Sequence, residues 1–133
     1  MTTGAHTVEP GGRRYDPATL PAKPEVGPEA FHGLDLRVGR VVAAEPFAAA
    51  RKPSLRVRVD FGPVIGELET SAQIVRYAPE ALVGRLVVGA VNLGERRIAG
   101  LASAFLILGG LHADGSVALL APDEDLPPGA PVG

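Results

Sequence analysis

Polar and apolar positions alternate with a period of two along much of the chain, in short runs. Leu55, Val57, Val59 and Phe61 fall on one side while Arg56, Arg58 and Asp60 fall on the other, which is the pattern of a half-buried strand. Asp35 to Glu45 begins the same way, with Leu36 and Val38 set against Asp35 and Arg37. After Gly39 the phase slips, placing Arg40 where an inward residue is expected and Val41 where an outward one is. A bulge or coil at a strand glycine produces such a slip, and strands that bend there close small barrels.

Further along, Gly62-Pro63 to Gly66 predicts a turn, and Glu67-Leu68-Glu69 returns as the second arm of a hairpin with a charged outer face. Pro79 to Val83 predicts a short helix, with proline in the first turn and Gly84 as its C-terminal cap. Leu86 to Val91 is apolar on both faces and reads as a central strand ending at Asn92, followed by a loop from Gly94 to Gly100. Ala104 to Leu108 predicts another buried strand, and His112-Ala113-Asp114-Gly115 a hairpin turn into Val117 to Leu120. Pro122 to Gly133 is acidic, proline-rich and extended. These elements, with no βαβ rhythm, predict an all-β chain: a five-stranded OB-fold Greek-key barrel with a short helix between strands 3 and 4 and a C-terminal β extension. An SH3-like barrel is the alternative.

At 133 residues and 46% apolar composition the chain suits one domain and one core. Residues 1–30 carry five prolines and no hydrophobic period, predicting a mostly disordered tail, with Phe31 as an anchor beneath the barrel. Residues 31–133 are then the folded domain. No apolar run is long enough for membrane insertion and no basic-then-apolar leader pattern is present, so a soluble cytoplasmic protein is expected. Zero cysteines excludes disulfides and thiolate chemistry.

Net charge is −2, but its distribution is uneven: −1 over residues 1–30, +3 over 31–103 and −4 over 104–133. The basic excess directs attention to Arg51-Lys52, a cationic pair beside Pro53 on a loop, and to Arg96-Arg97 near Asn92. Cations on a barrel rim suit contact with RNA phosphates, and an asparagine can hydrogen-bond a base edge or a 2′-hydroxyl. Two solvated loops and a capped strand end are the competing readings. Arg37 lies on the opening strand and is a plausible contact, whereas Arg40 is as readily bonded to a carboxylate such as Asp60. Arg56 and Arg58 face Glu67 and Glu69 and are expected to be neutralised there. With no tryptophan and with Phe61 and Phe105 at core positions, only Tyr77 and Phe47 remain as stacking platforms, which favours folded RNA over a single strand. Three scattered histidines give no metal-ligand spacing, no catalytic motif appears, and no cofactor is expected.

The order Asp35-Leu36-Arg37-Val38-Gly39-Arg40-Val41, Ala50-Arg51-Lys52-Pro53, Val59-Asp60-Phe61-Gly62, Ser71-Ala72-Gln73-Ile74, Leu86-Val87-Val88 with Asn92, Arg97-Ile98-Ala99-Gly100 and Ser103 before an apolar strand resembles the tRNA-binding domain family. That family includes the OB-fold module appended to methionyl- and some phenylalanyl-tRNA synthetases, and free-standing secretion-related chaperones. The resemblance covers roughly residues 31–133. It implies a homodimer built through the C-terminal segment, binding tRNA or other structured RNA, unfolded preprotein segments, or both. Implied RNA-binding residues are Arg37, Arg51, Lys52, Gln73, Asn92, Arg96, Arg97 and Ser103. Phe47 and Leu93, loop residues free of the core, are the candidates for polypeptide. Ser103 precedes Ala104-Phe105, where the tRNA-binding branch often has an acidic residue, glycine and methionine; this favours the chaperone-like branch. A peptide-binding chaperone with no physiological RNA ligand is the alternative function.

Overall fold

The computed structural model describes residues 6–133, so the first five positions of the expected tail lie outside the described residues. In chain order the elements are α1 (Pro28–His32), β1 (Leu36–Pro46), β2 (Leu55–Asp60), α2 (Gly62–Ile65), β3 (Glu67–Ala72), α3 (Pro79–Leu82), β4 (Leu86–Ala90), β5 (Arg96–Ile98), β6 (Leu101–Ser103), β7 (Leu106–Ile107), β8 (Gly109–Leu111) and β9 (Val117–Leu119). Five strands form one antiparallel sheet in the order β3-β2-β1-β4-β7, and two hairpins, β5-β6 and β8-β9, stand beside it. The Ala104 N–H donates to the Glu69 carbonyl at 2.9 Å and draws the ends of the sheet together. The result is the nearly closed OB-type barrel expected, with its short helix between β3 and β4.

β1 makes closure possible because its two halves serve different partners. Leu36 to Arg40 pairs with β4 and Arg40 to Pro46 with β2, so Arg40 faces both Leu86 and Asp60. The register shift falls between Val41 and Ala43, just beyond the glycine at which it was expected. Gly39 instead makes space in the core, since a Cβ there would stand 2.4 Å from Val59 Cγ1 and 2.7 Å from the Phe61 ring. Gly89 meets the same ring at 2.7 Å, so two glycines make room for Phe61 on opposite strands. Phe61 is fully buried and meets Phe105 edge to face, centroids 5.0 Å apart.

Around this pair lie Val41, Leu55, Val57, Val59, Ile74, Leu82, Val87 and Leu119. Each such side chain contributes about 1.5–3 kcal/mol when fully removed from water. Val38 and its register partner Val88 are buried outside that cluster, on the other face of the sheet, so Val38 does not fill the barrel as its alternation suggested.

Four expectations change in detail. The Gly62 to Gly66 turn contains one turn of helix, α2. The loop expected from Gly94 is the β5-β6 hairpin, turned by Ala99 and Gly100 at φ 49° and 87°, the left-handed pair that a two-residue hairpin turn requires. Ala104 to Leu108 is not one buried strand: Phe105 points inward while Leu106 is exposed, because the chain crosses β3 before pairing briefly with β4. Phe31 is 46% exposed, and α1 buries no residue, so it anchors nothing within this chain.

Both ends of the chain also take definite positions. Where composition predicts a disordered tail, the described segment from His6 to Tyr15 lies against the β8-β9 hairpin, with the Glu9 and Tyr15 N–H groups donating to the Asp114 and Ala113 carbonyls at 2.8 and 3.0 Å. Asp16 is buried there, paired with Arg13 and accepting from the Ala18 N–H, and these hydrogen bonds lower its pKa, that from Ala18 most. The C-terminal segment is extended, as expected. It runs along β1, with Val38 N–H donating to Ala130 O, and Gly129 and Val132 N–H donating to Val38 O and Leu36 O. No helix among the described residues is long and apolar enough to cross a membrane.

Candidate functional site

A groove of about 1120 Å³ opens between the β1-β2 loop, the end of β3 and the β5-β6 hairpin. Seven of the residues singled out from sequence line it: Arg51, Lys52, Gln73, Leu93, Arg96, Arg97 and Ser103. Local backbone bonding sets them there. Phe47 N–H donates to Ser54 O at 2.9 Å and the Ser54 hydroxyl donates to Lys52 O at 3.0 Å, which shapes the loop and turns Arg51 and Lys52 outward. Gln73 follows β3 and lines the groove.

Arg96 and Arg97 ride on β5, and Arg97 reaches back to the Gly100 carbonyl of its own turn at 3.1 Å. The hairpin that carries them is fastened to the barrel through β6. Ser103 Oγ and Thr70 Oγ1 are 2.9 Å apart, and Thr70 is 3% exposed. Ser103 thus holds the arginine hairpin in place. Thr70 escaped the sequence reading, although a threonine at an inward position, between Glu69 and Ser71, signals a buried hydroxyl in need of a partner.

Arg51, Lys52, Arg96 and Arg97 are all exposed, and among the described residues none lies within 4.0 Å of a carboxylate. Four cations without counter-charge around one groove attract a polyanion and gain from releasing its counterions. The cations of the opening strand are engaged instead. Arg37 holds Asp35 at 2.5 Å and donates to the Gly129 carbonyl at 3.2 Å. Arg40 bonds to Gly84 O and to Asp125, at 2.8 and 2.9 Å, and not to Asp60, which accepts from the Gly62 N–H instead.

Arg56 meets Glu69 at 2.6 Å and Arg58 meets it at 3.5 Å. The Arg56 hydrogen bond, above all, lowers the Glu69 pKa, and Glu69 in turn raises that of Arg56. Glu67 joins neither arginine, because the register sets it opposite Asp60. Asn92 is also occupied: its Oδ1 accepts from Asp35 N–H and its Nδ2 donates to Gly33 O, both at 2.8 Å. Phe47 lies in a second hollow of about 530 Å³ with Val75 and Tyr77, and the Arg51-Lys52 loop borders both hollows. Among the described residues no cluster of three or more histidine or carboxylate side chains is arranged to hold a metal.

A family model described as a tRNA binding domain matches residues 36–131, the barrel together with most of its extended C-terminal segment. The chain belongs to the tRNA-binding domain family. Its relatives include methionine–tRNA ligase of Methanosarcina acetivorans, 32% identical over 126 residues, covering 95% of this chain and 18% of that enzyme. The chain therefore spans under a fifth of the length of that enzyme. Among solved structures, chaperone CsaA of Bacillus anthracis is 40% identical with a TM-score of 0.75, covering 83% of this chain and all of that one. The CsaA chaperone protein of Picrophilus torridus is 33% identical with a TM-score of 0.77, covering 82% of this chain and all of that one. Within the tRNA-binding domain, the groove cations all fall inside the matched residues, whereas the tail and α1 fall outside them.

Proposed function

We propose that this tRNA-binding domain protein is a cytoplasmic homodimer that binds structured RNA, tRNA foremost, in the groove lined by Arg51, Lys52, Arg96 and Arg97, and that it is a binding module and not an enzyme. The observation that carries the reading is that four cations, none meeting a carboxylate among the described residues, converge on one groove of a family described as tRNA-binding. Phosphates are held by the cations, Gln73 offers an amide to a base or sugar edge, and Ser103 acts through the hairpin it fixes. Titrating tRNA against the protein at two salt concentrations tests this. Affinity falls as salt rises, and Arg51→Glu with Lys52→Glu abolishes it; binding indifferent to both overturns the reading.

A second reading, a protein-export chaperone, is favoured by the two similar structures, both named as chaperones, and by apolar side chains at the groove mouth, Leu93 and Leu106, 55% and 52% exposed. Unfolded preprotein segments would lie across Leu93 and into the Phe47 hollow. Suppression of aggregation of a denatured client at stoichiometric protein tests it, and Leu93→Asp is expected to weaken the effect. Dimerisation is supported by exposed Leu111, Leu120 and Leu126 on the C-terminal part of the chain. Light scattering of Leu111→Asp/Leu120→Asp is expected to give monomer.

A further inference from the structure

The groove has one boundary that the family domain does not provide. His6, outside the matched residues 36–131, lines it together with the cations. The segment that brings His6 there is fixed at several points. Its Nε2 lies 2.6 Å from the Gly115 carbonyl, Thr7 N–H donates to Tyr15 Oη at 3.2 Å, and Arg14 stands over the Tyr15 ring at 5.5 Å. Gly115 admits this contact, since a Cβ there would stand 2.2 Å from the Thr7 carbonyl oxygen. The His6 ring is backed by Tyr15, centroids 5.8 Å apart and planes tilted 46°. The other aromatic residue lining the groove, Phe105, is 5% exposed and belongs to the core.

We infer that the N-terminal segment equips this groove with a stacking platform, His6 braced by Tyr15, for a single unpaired nucleobase of the bound RNA. The inference rests on the RNA reading of the groove. Cations alone hold phosphates without regard to bases; a ring at the groove wall adds a flat surface on which an unstacked loop or end base lies, and histidine serves RNA recognition in this way. Because several bonds fix the segment before ligand arrives, little ordering remains for the binding step.

Full-length protein and its His6→Ala and His6→Phe variants, titrated with labelled tRNA at two salt concentrations and with blunt RNA duplex, test the inference. His6→Ala is expected to weaken tRNA binding about tenfold without changing the salt dependence, and to leave duplex binding unaltered. His6→Phe, which keeps a ring but loses the bond to Gly115, is expected to restore tRNA affinity to within about twofold. The inference is overturned if His6→Ala has no effect, if it tightens binding by uncovering the groove, or if phenylalanine fails to restore affinity. Arg51→Glu/Lys52→Glu separates the two levels. If it abolishes binding while His6→Ala is silent, the groove stands and the platform falls; if both are silent, both fall.

Discussion

The arginines of the opening strand and those of the β5-β6 hairpin are chemically alike and employed in opposite ways. Arg37 and Arg40 each hold a carboxylate and a backbone carbonyl, from Asp35 and Gly129 in one case and Asp125 and Gly84 in the other. Arg96 and Arg97 hold no carboxylate within 4.0 Å among the described residues. Position in the barrel explains the contrast. The opening strand lies between β4 and the C-terminal segment, where carbonyls and acids surround it, while the hairpin is held to the barrel through β6 and leaves β5 on its outer side, where Arg97 reaches only the carbonyl of its own turn. A positive residue is free to meet an external anion only where the fold leaves its charge unanswered.

The largest test of that contrast is to invert the hairpin: Arg96→Glu/Arg97→Glu is expected to reduce tRNA affinity at least about 100-fold, measured by fluorescence anisotropy, while stability changes by no more than about 0.5 kcal/mol. On the opposite side, Asn92→Ala is expected to cost about 0.5–1.5 kcal/mol in chemical denaturation, since it removes the exposed hydrogen bonds to Asp35 N–H and Gly33 O, with RNA affinity unaltered. Glu69 gives a pH test. Its folded pKa lies below its unfolded one, so its contribution is present above the usual carboxylate range and is lost as pH falls through the lowered value. The stability gap between the native chain and Glu69→Gln is therefore expected to narrow as the pH falls below the usual carboxylate range, and to be gone once it passes below the lowered value, in urea titrations. Smallest is Arg40→Gln, expected to change stability by less than about 0.5 kcal/mol, because Asp125 is 83% exposed and the pair is screened.

Strict alternation from Leu55 to Phe61, the proline-started helix and the apolar central strand made the barrel legible, because period-two patterning records which side of a strand meets the core. Arg51-Lys52 and Arg96-Arg97 were legible as pairs, but their convergence depends on how β1, β3 and the hairpin close on one another. Asn92 and Arg37 illustrate what sequence withholds. Their partners, Gly33 and Asp35 for one and Gly129 for the other, include backbone atoms, up to 92 positions away, that no side-chain pattern announces. His6 lay in a stretch whose prolines and glycines carry no period, and only contact with the Asp114-Gly115 turn gives it a place. The β5-β6 hairpin left a signal that was overlooked: three residues on each side of Ala99-Gly100, with glycine at a position that favours a left-handed backbone.

The extended run from Gly129 to Val132 has a consequence beyond barrel closure. It occupies the leading half of β1 on the side away from β4, so amide and carbonyl groups at the start of the opening strand meet partners from this same chain. An open sheet edge presents unpaired N–H and C=O groups on which a strand from another molecule can pair. The same four residues that complete the sheet therefore also cover an edge that a strand from another molecule would otherwise find open.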